Sequence, residues 1–187
     1  MSIKSIRTGW TGISALAGND QWFSDFESIA SITLGSSQAT VEFDGIPTTY
    51  QHLQLRVMSK HATASSATEV ALMQFNSTSM TKGHYLYGSG TSAAAGIPAN
   101  GAVMNIPGGN FAGTFGAAII DILDYANTNK NKTFRSLNGT ETNSGGEMVF
   151  YSGFYGTTTA VTNIKFTIAG GHSFAQHSHF ALYGIRG

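Results

Sequence analysis

From Phe26 onward the sequence is cut into short runs in which apolar residues fall at every second position, and Gly, Asn, Asp or Ser closes each run. Side chains of an extended strand alternate between its faces, so this period marks strands with one side buried. In residues 50–59, Leu53, Leu55 and Val57 share one face, and Gln54, Arg56 and Met58 share the other. Residues 39–43 alternate strictly and stop at Asp44-Gly45, a turn dipeptide. Further strands are expected at 26–34, 69–75, 102–106, 114–125, 132–138, 147–155, 161–168 and 174–185. Residues 118–123 are apolar on both sides except for Asp121, which predicts a central strand covered on both faces. The Gly-, Ala- and Ser-rich residues 89–101 read as a long loop. No stretch carries apolar residues at helical spacing. Roughly eight or nine strands, about 10–15 residues apart and without βαβ alternation, predict an all-β fold. The form expected over residues 26–187 is an antiparallel β-sandwich of jelly-roll type.

Residues 1–25 differ. They hold both tryptophans, Trp10 and Trp22, among glycines and polar residues, with neither strand nor helix periodicity. The reading is an extended N-terminal arm whose tryptophans anchor it to this domain or to a neighbouring subunit.

Composition limits the function. Hydrophobic residues make up 41% of the 187, enough for a core, while charged residues make up only 11%, well below ordinary soluble domains. The formal net charge is +0, and Lys and Arg are scattered singly, so no basic stripe exists to neutralise phosphates. Nucleic acid is therefore excluded as a partner. Zero net charge also removes self-repulsion, which suits a chain that lives in an assembly. The sequence has no cysteine, which excludes disulfides and thiolate metal sites. No signal-peptide pattern opens the sequence, and no apolar run reaches the roughly 18 residues of a membrane span.

The chemical motifs are sparse. Neither a Walker phosphate loop nor a Rossmann fingerprint is present, and the glycines at 108–109, 113 and 116 read as a turn and as close sheet packing. No G-x-S-x-G elbow occurs. Ser178 lies between His177 and His179, and strand neighbours point to opposite faces, so they do not pair. Asp121 and Asp124 are three apart and cannot form an acid–base pair on one strand. Asp121 reads as a structural carboxylate, and Asp124 as the residue that ends its strand and organises the turn at 127–129. His172, His177 and His179 form the best candidate metal cluster, with His177 and His179 expected on one face of a strand. Two imidazoles alone are a weak signal, and no cofactor is expected. Phe150 and Phe154 share a face at period 2 and read as core residues.

Residues 46–56, Ile-Pro-Thr-Thr-Tyr-Gln-His-Leu-Gln-Leu-Arg, resemble an I-P-x-x-Y-x-H-L-Q-[LI]-R segment of small virion structural proteins of tailed phages that infect marine bacteria, cyanobacteria among them. Residues 119–130, the ending at 180–187 and the opening at 26–30 resemble the same family in order. The likeness spans about residues 26–187 and leaves out 1–25. It implies no catalytic residue and no cofactor. It implies a non-enzymatic virion protein that is fibre-like, tail-associated or capsid-decorating. One compact domain without a fibrous or repeat region favours a capsid decoration or cement protein, with a tail-fibre or receptor-binding tip that recognises host surface glycans as the alternative. A glycan-degrading enzyme is the remaining, least supported reading. The expected partners are further copies of the chain, as a trimer, and the major capsid or tail proteins, with location in the virion and no membrane insertion. Arg56, Asp121 and Asp124 are among the polar residues of the shared segments, and an internal ion pair between Arg56 and one of the carboxylates is expected.

Overall fold

The computed structural model describes residues 26–64, 68–98, 101–142 and 145–187. The expected arm at 1–25, with Trp10 and Trp22, lies outside the described residues. Thirteen strands, numbered in chain order, pair antiparallel throughout the described residues. One sheet has eight strands in the order β1 (Phe26–Thr33), β13 (His179–Ile185), β3 (His52–Ser59), β9 (Gly116–Leu123), β10 (Lys132–Glu141), β11 (Gly146–Tyr155), β6 (Lys82–Ser89) and β7 (Ser92–Gly96). The other has five: β2 (Val41–Phe43), β12 (Ile164–Ile168), β4 (Glu69–Phe75) and β5 (Thr78–Ser79), with β8 (Ala102–Ile106) also paired to β4. The protein is an all-β antiparallel sandwich with unequal layers.

The predicted alternation sets which residues fill it. Leu53, Leu55 and Val57 of β3, Ile120 and Ile122 of β9, and Ala71, Met73 and Phe75 of β4 all point between the layers. Phe75 stacks on Tyr155 with ring centroids 4.0 Å apart, and Phe174 meets Phe180 edge-on at 5.2 Å. Each of the larger side chains among them contributes about 1.5–3 kcal/mol by leaving water.

The inward face of β10 is less apolar. Ser136 and Asn138 are buried there and reach across to β8. The Ser136 hydroxyl donates to the carbonyl of Val103, and Asn138 Nδ2 donates to the carbonyl of Asn105 at 3.3 Å. These bonds satisfy carbonyls on the edge of the smaller sheet, where an unpaired strand side would otherwise be left open.

Several of the strand expectations fail. The loop expected at 89–101 is largely β7, which closes a hairpin with β6 (Tyr85 opposite Gly96, Ser89 opposite Ser92). Residues 82–89, where the sequence predicts no strand, form β6. The strand at 114–125 is not covered on both faces: Ile120 and Ile122 are buried, whereas Ile119 is 46% exposed. The inward and outward sides of β11 are also reversed. Tyr151 and Tyr155 point inward with Val149, while Phe150 is 41% exposed on the outside. The tyrosines are tolerated inside because their hydroxyls are used. Tyr155 Oη donates to the Met73 carbonyl at 2.6 Å, and Tyr151 Oη donates to Asn105 Oδ1 at 2.6 Å.

Candidate functional site

The outward face of the large sheet carries the most distinctive surface among the described residues. Cross-strand register lines up Ile119, Leu137, Phe150, Leu86 and Ala95 on β9, β10, β11, β6 and β7 as one row. Leu137 is 51% exposed and Leu86 60%. A second row runs beside it through Met58, Ala117, Gly139, Met148, Gly88 and Ala93. Because strands lie about 4.8 Å apart, the rows extend over roughly 20–25 Å. A shallow depression of about 540 Å³ lies between Met58, Ile119, Leu137 and Met148, over Ala117 and Gly139. Contiguous apolar surface rimmed by polar groups marks a protein-interaction face.

The rim is the neighbouring row: Gln54, Asp121, Arg135, Ser152 and His84. Here the expected ion pair of Arg56 is replaced by a relay. Arg56 Nε donates to Gln54 Oε1 at 3.3 Å, and Gln54 Nε2 donates to Asp121 Oδ1 at 2.9 Å. The reason is register. Gln54, not Arg56, stands directly opposite Asp121, and Arg56 stands opposite Ile119. The Arg56 guanidinium instead lies over the rings of Phe26 and Tyr183, at 5.4 and 5.5 Å from their centroids. It is exposed, not internal.

Asp124 does end β9 and turn the chain. It has φ of 48°, and its carbonyl accepts the Asn127 amide at 3.0 Å. Its carboxylate pairs with Lys130 at 2.6 Å, and that bond, foremost, holds its pKa below the usual carboxylate range. His52 lies nearby, and its Nδ1 accepts the Asp124 backbone amide at 3.0 Å.

The histidines are not gathered as expected. β13 begins at His179, and His177 precedes it in a turn with φ of 69°, so the two do not share a strand face. His179 Nδ1 is 2.8 Å from Thr33 Oγ1. His172 stacks on His61 at 5.4 Å, with its Nδ1 3.7 Å from Glu69 Oε1. Among the described residues, no three His, Asp or Glu side chains are grouped to hold a metal ion. Nor is any described helix long and apolar enough to cross a membrane.

A second polar cluster joins the ends of the domain. Glu27 accepts from Tyr50 Oη at 2.9 Å and from Arg186 Nη2 at 3.1 Å and Nε at 3.3 Å. The Arg186 and then the Tyr50 hydrogen bonds hold the Glu27 pKa below the usual range. This fork ties the edge strand β1 to the chain just beyond β13.

No family model, no curated protein and no solved structure matches this chain. Its own surface and sequence carry the functional argument.

Proposed function

We propose that the protein is a non-enzymatic structural subunit of a bacteriophage virion, a capsid decoration protein that associates with further copies of itself as a trimer. The single observation that carries this reading is the double apolar row on the outside of the large sheet. A free monomer gains nothing from holding Ile119, Leu137, Phe150, Leu86, Met58 and Met148 in water, whereas a subunit of a shell buries them against its neighbours. The zero net charge of the chain supports close packing of identical copies, since no self-repulsion opposes it. The likeness of residues 46–56, 119–130 and 180–187 to phage virion proteins supplies the setting.

The test is quantitative mass spectrometry of purified particles from cells infected by the phage that encodes the chain. The reading expects the chain at a copy number set by the capsid lattice. Its absence from particles, with abundant protein left in the lysate, would contradict the proposal.

A further inference from the structure

The two layers of the sandwich are unequal, and the difference leaves a gap. The hairpin of β6 and β7 extends the large sheet past the small one, so part of its inward face has no second layer above it among the described residues. Tyr85 and Tyr87 lie on that face, opposite Tyr151 and Val149 of β11, and both remain half-buried. Between the overhang and β8 lies a cleft of about 450 Å³, within the range of small-ligand sites. Tyr85, Tyr87, Tyr151, Asn105, Glu147 and Ala94 line it.

These residues are fixed before any ligand arrives. Tyr151 Oη donates to Asn105 Oδ1 at 2.6 Å, and Asn105 Nδ2 donates to Glu147 Oε1 at 2.7 Å. The Tyr85 ring leans on Tyr151, centroids 6.0 Å apart at 53°, and lies across Gly96 on the partner strand. Any larger residue at 96 would collide there, because a β-carbon would stand 2.8 Å from Tyr85 Oη. The position is thus kept open for the ring.

We propose that this cleft binds a neutral saccharide. A sugar ring has an apolar C–H face that packs flat on a tyrosine, and hydroxyls at its edge that need a donor and an acceptor side by side. Tyr85 and Tyr87 supply the first surface. Asn105, with its second amide hydrogen, and Glu147, with its second oxygen, supply the pair. The charge of the site selects among ligands. Glu147 is the one ionic group among the described residues lining the cleft, so phosphate, sulfate and acidic sugars are repelled. A quaternary ammonium would suit the rings and the carboxylate but leaves the amide without a role. This site is separate from the apolar outer rows and stands or falls independently of self-association.

The experiment is isothermal titration calorimetry on the full chain with glucose, galactose, mannose, N-acetylglucosamine and their disaccharides, alongside glucuronic acid and tetramethylammonium. At least one neutral sugar is expected to bind with a Kd below about 10 mM, a weak but saturable affinity. Glu147→Gln and Tyr87→Ala are each expected to weaken it tenfold or more. Ala94→Trp, at an exposed position on β7, fills the cleft without displacing a buried side chain and is expected to abolish binding with an unchanged unfolding midpoint. No saturable neutral sugar, binding that survives Ala94→Trp, or a preference for glucuronic acid or tetramethylammonium would each overturn the proposal.

Discussion

Ile119 on β9 and Leu137 on β10 are direct cross-strand partners on the outward face, and they stand 46% and 51% exposed. Neither supports the sandwich core, so both are free to serve contact with another molecule. At a concentration low enough that the original protein is also monomeric, replacing both with Lys is expected to leave the urea unfolding free energy within about 0.5 kcal/mol of the original, as for ordinary surface changes. The same double variant is expected to lose self-association, read by sedimentation velocity. A large stability loss would show instead that the pair belongs to the fold.

Lys132 is buried at the start of β10, and its ammonium is held by backbone carbonyls. It donates to Asn127, to Lys130 at 3.2 Å and to Thr158 at 3.2 Å. Desolvation lowers its pKa, opposed by the charge of Asp124. Lys132→Met keeps the volume and strips the donors from these carbonyls. We expect a loss of about 1–3 kcal/mol in urea unfolding. No change would mean that removing a desolvated charge offsets the lost bonds.

Gly153 on β11 has room for no side chain. A β-carbon there would stand 2.6 Å from Phe134 Cε1 and collide with the Met80 sulfur, both in the core. Gly153→Ala is expected to lower stability by about 1–3 kcal/mol through overpacking, measured by thermal or urea unfolding.

Acid should loosen the domain at two defined places. The folded state lowers the pKa of Glu27 through Arg186 and Tyr50, and that of Asp124 through Lys130. A carboxylate with a lowered folded pKa contributes stability above its unfolded pKa, near about 4, and loses it as pH falls through the folded value. The melting temperature should therefore drop below about pH 4. Glu27→Gln should be less stable than the original protein at pH 7 and equal to it once both carboxyls are protonated. A gap between the two that persists unchanged at pH 2 would contradict the assignment.

Much of the sandwich is legible because its strands alternate strongly. Leu53, Leu55 and Val57 read as one buried face, and they are. Where the sequence misleads, hydrophobicity and burial part company. Phe150 looks like core, but its neighbour Tyr151 finds Asn105 for its hydroxyl and goes inside in its place. Ile119 looks like the second face of a covered strand because an apolar outer face reads the same as a buried one. The β6–β7 hairpin leaves little local signal, since Ser-Ala-Ala-Ala-Gly is a poor strand former and is held by its pairing with β6. The outer rows are invisible for a related reason: they exist only once register brings Met58, Ile119, Leu137, Phe150 and Leu86 together from five strands. A trace of them was present in 82–89, where His84 and Leu86 alternate with Tyr85 and Tyr87. The relay of Arg56, Gln54 and Asp121 likewise depends on register that no local pattern encodes.

The central claim is that the outer rows are covered by further copies of the chain. Sedimentation equilibrium of the purified full-length protein, over low to high micromolar concentrations, tests it most directly. The account predicts a trimer that the Ile119→Lys, Leu137→Lys double variant converts to monomer. A protein that remains monomeric throughout, or a trimer indifferent to that variant, would contradict it.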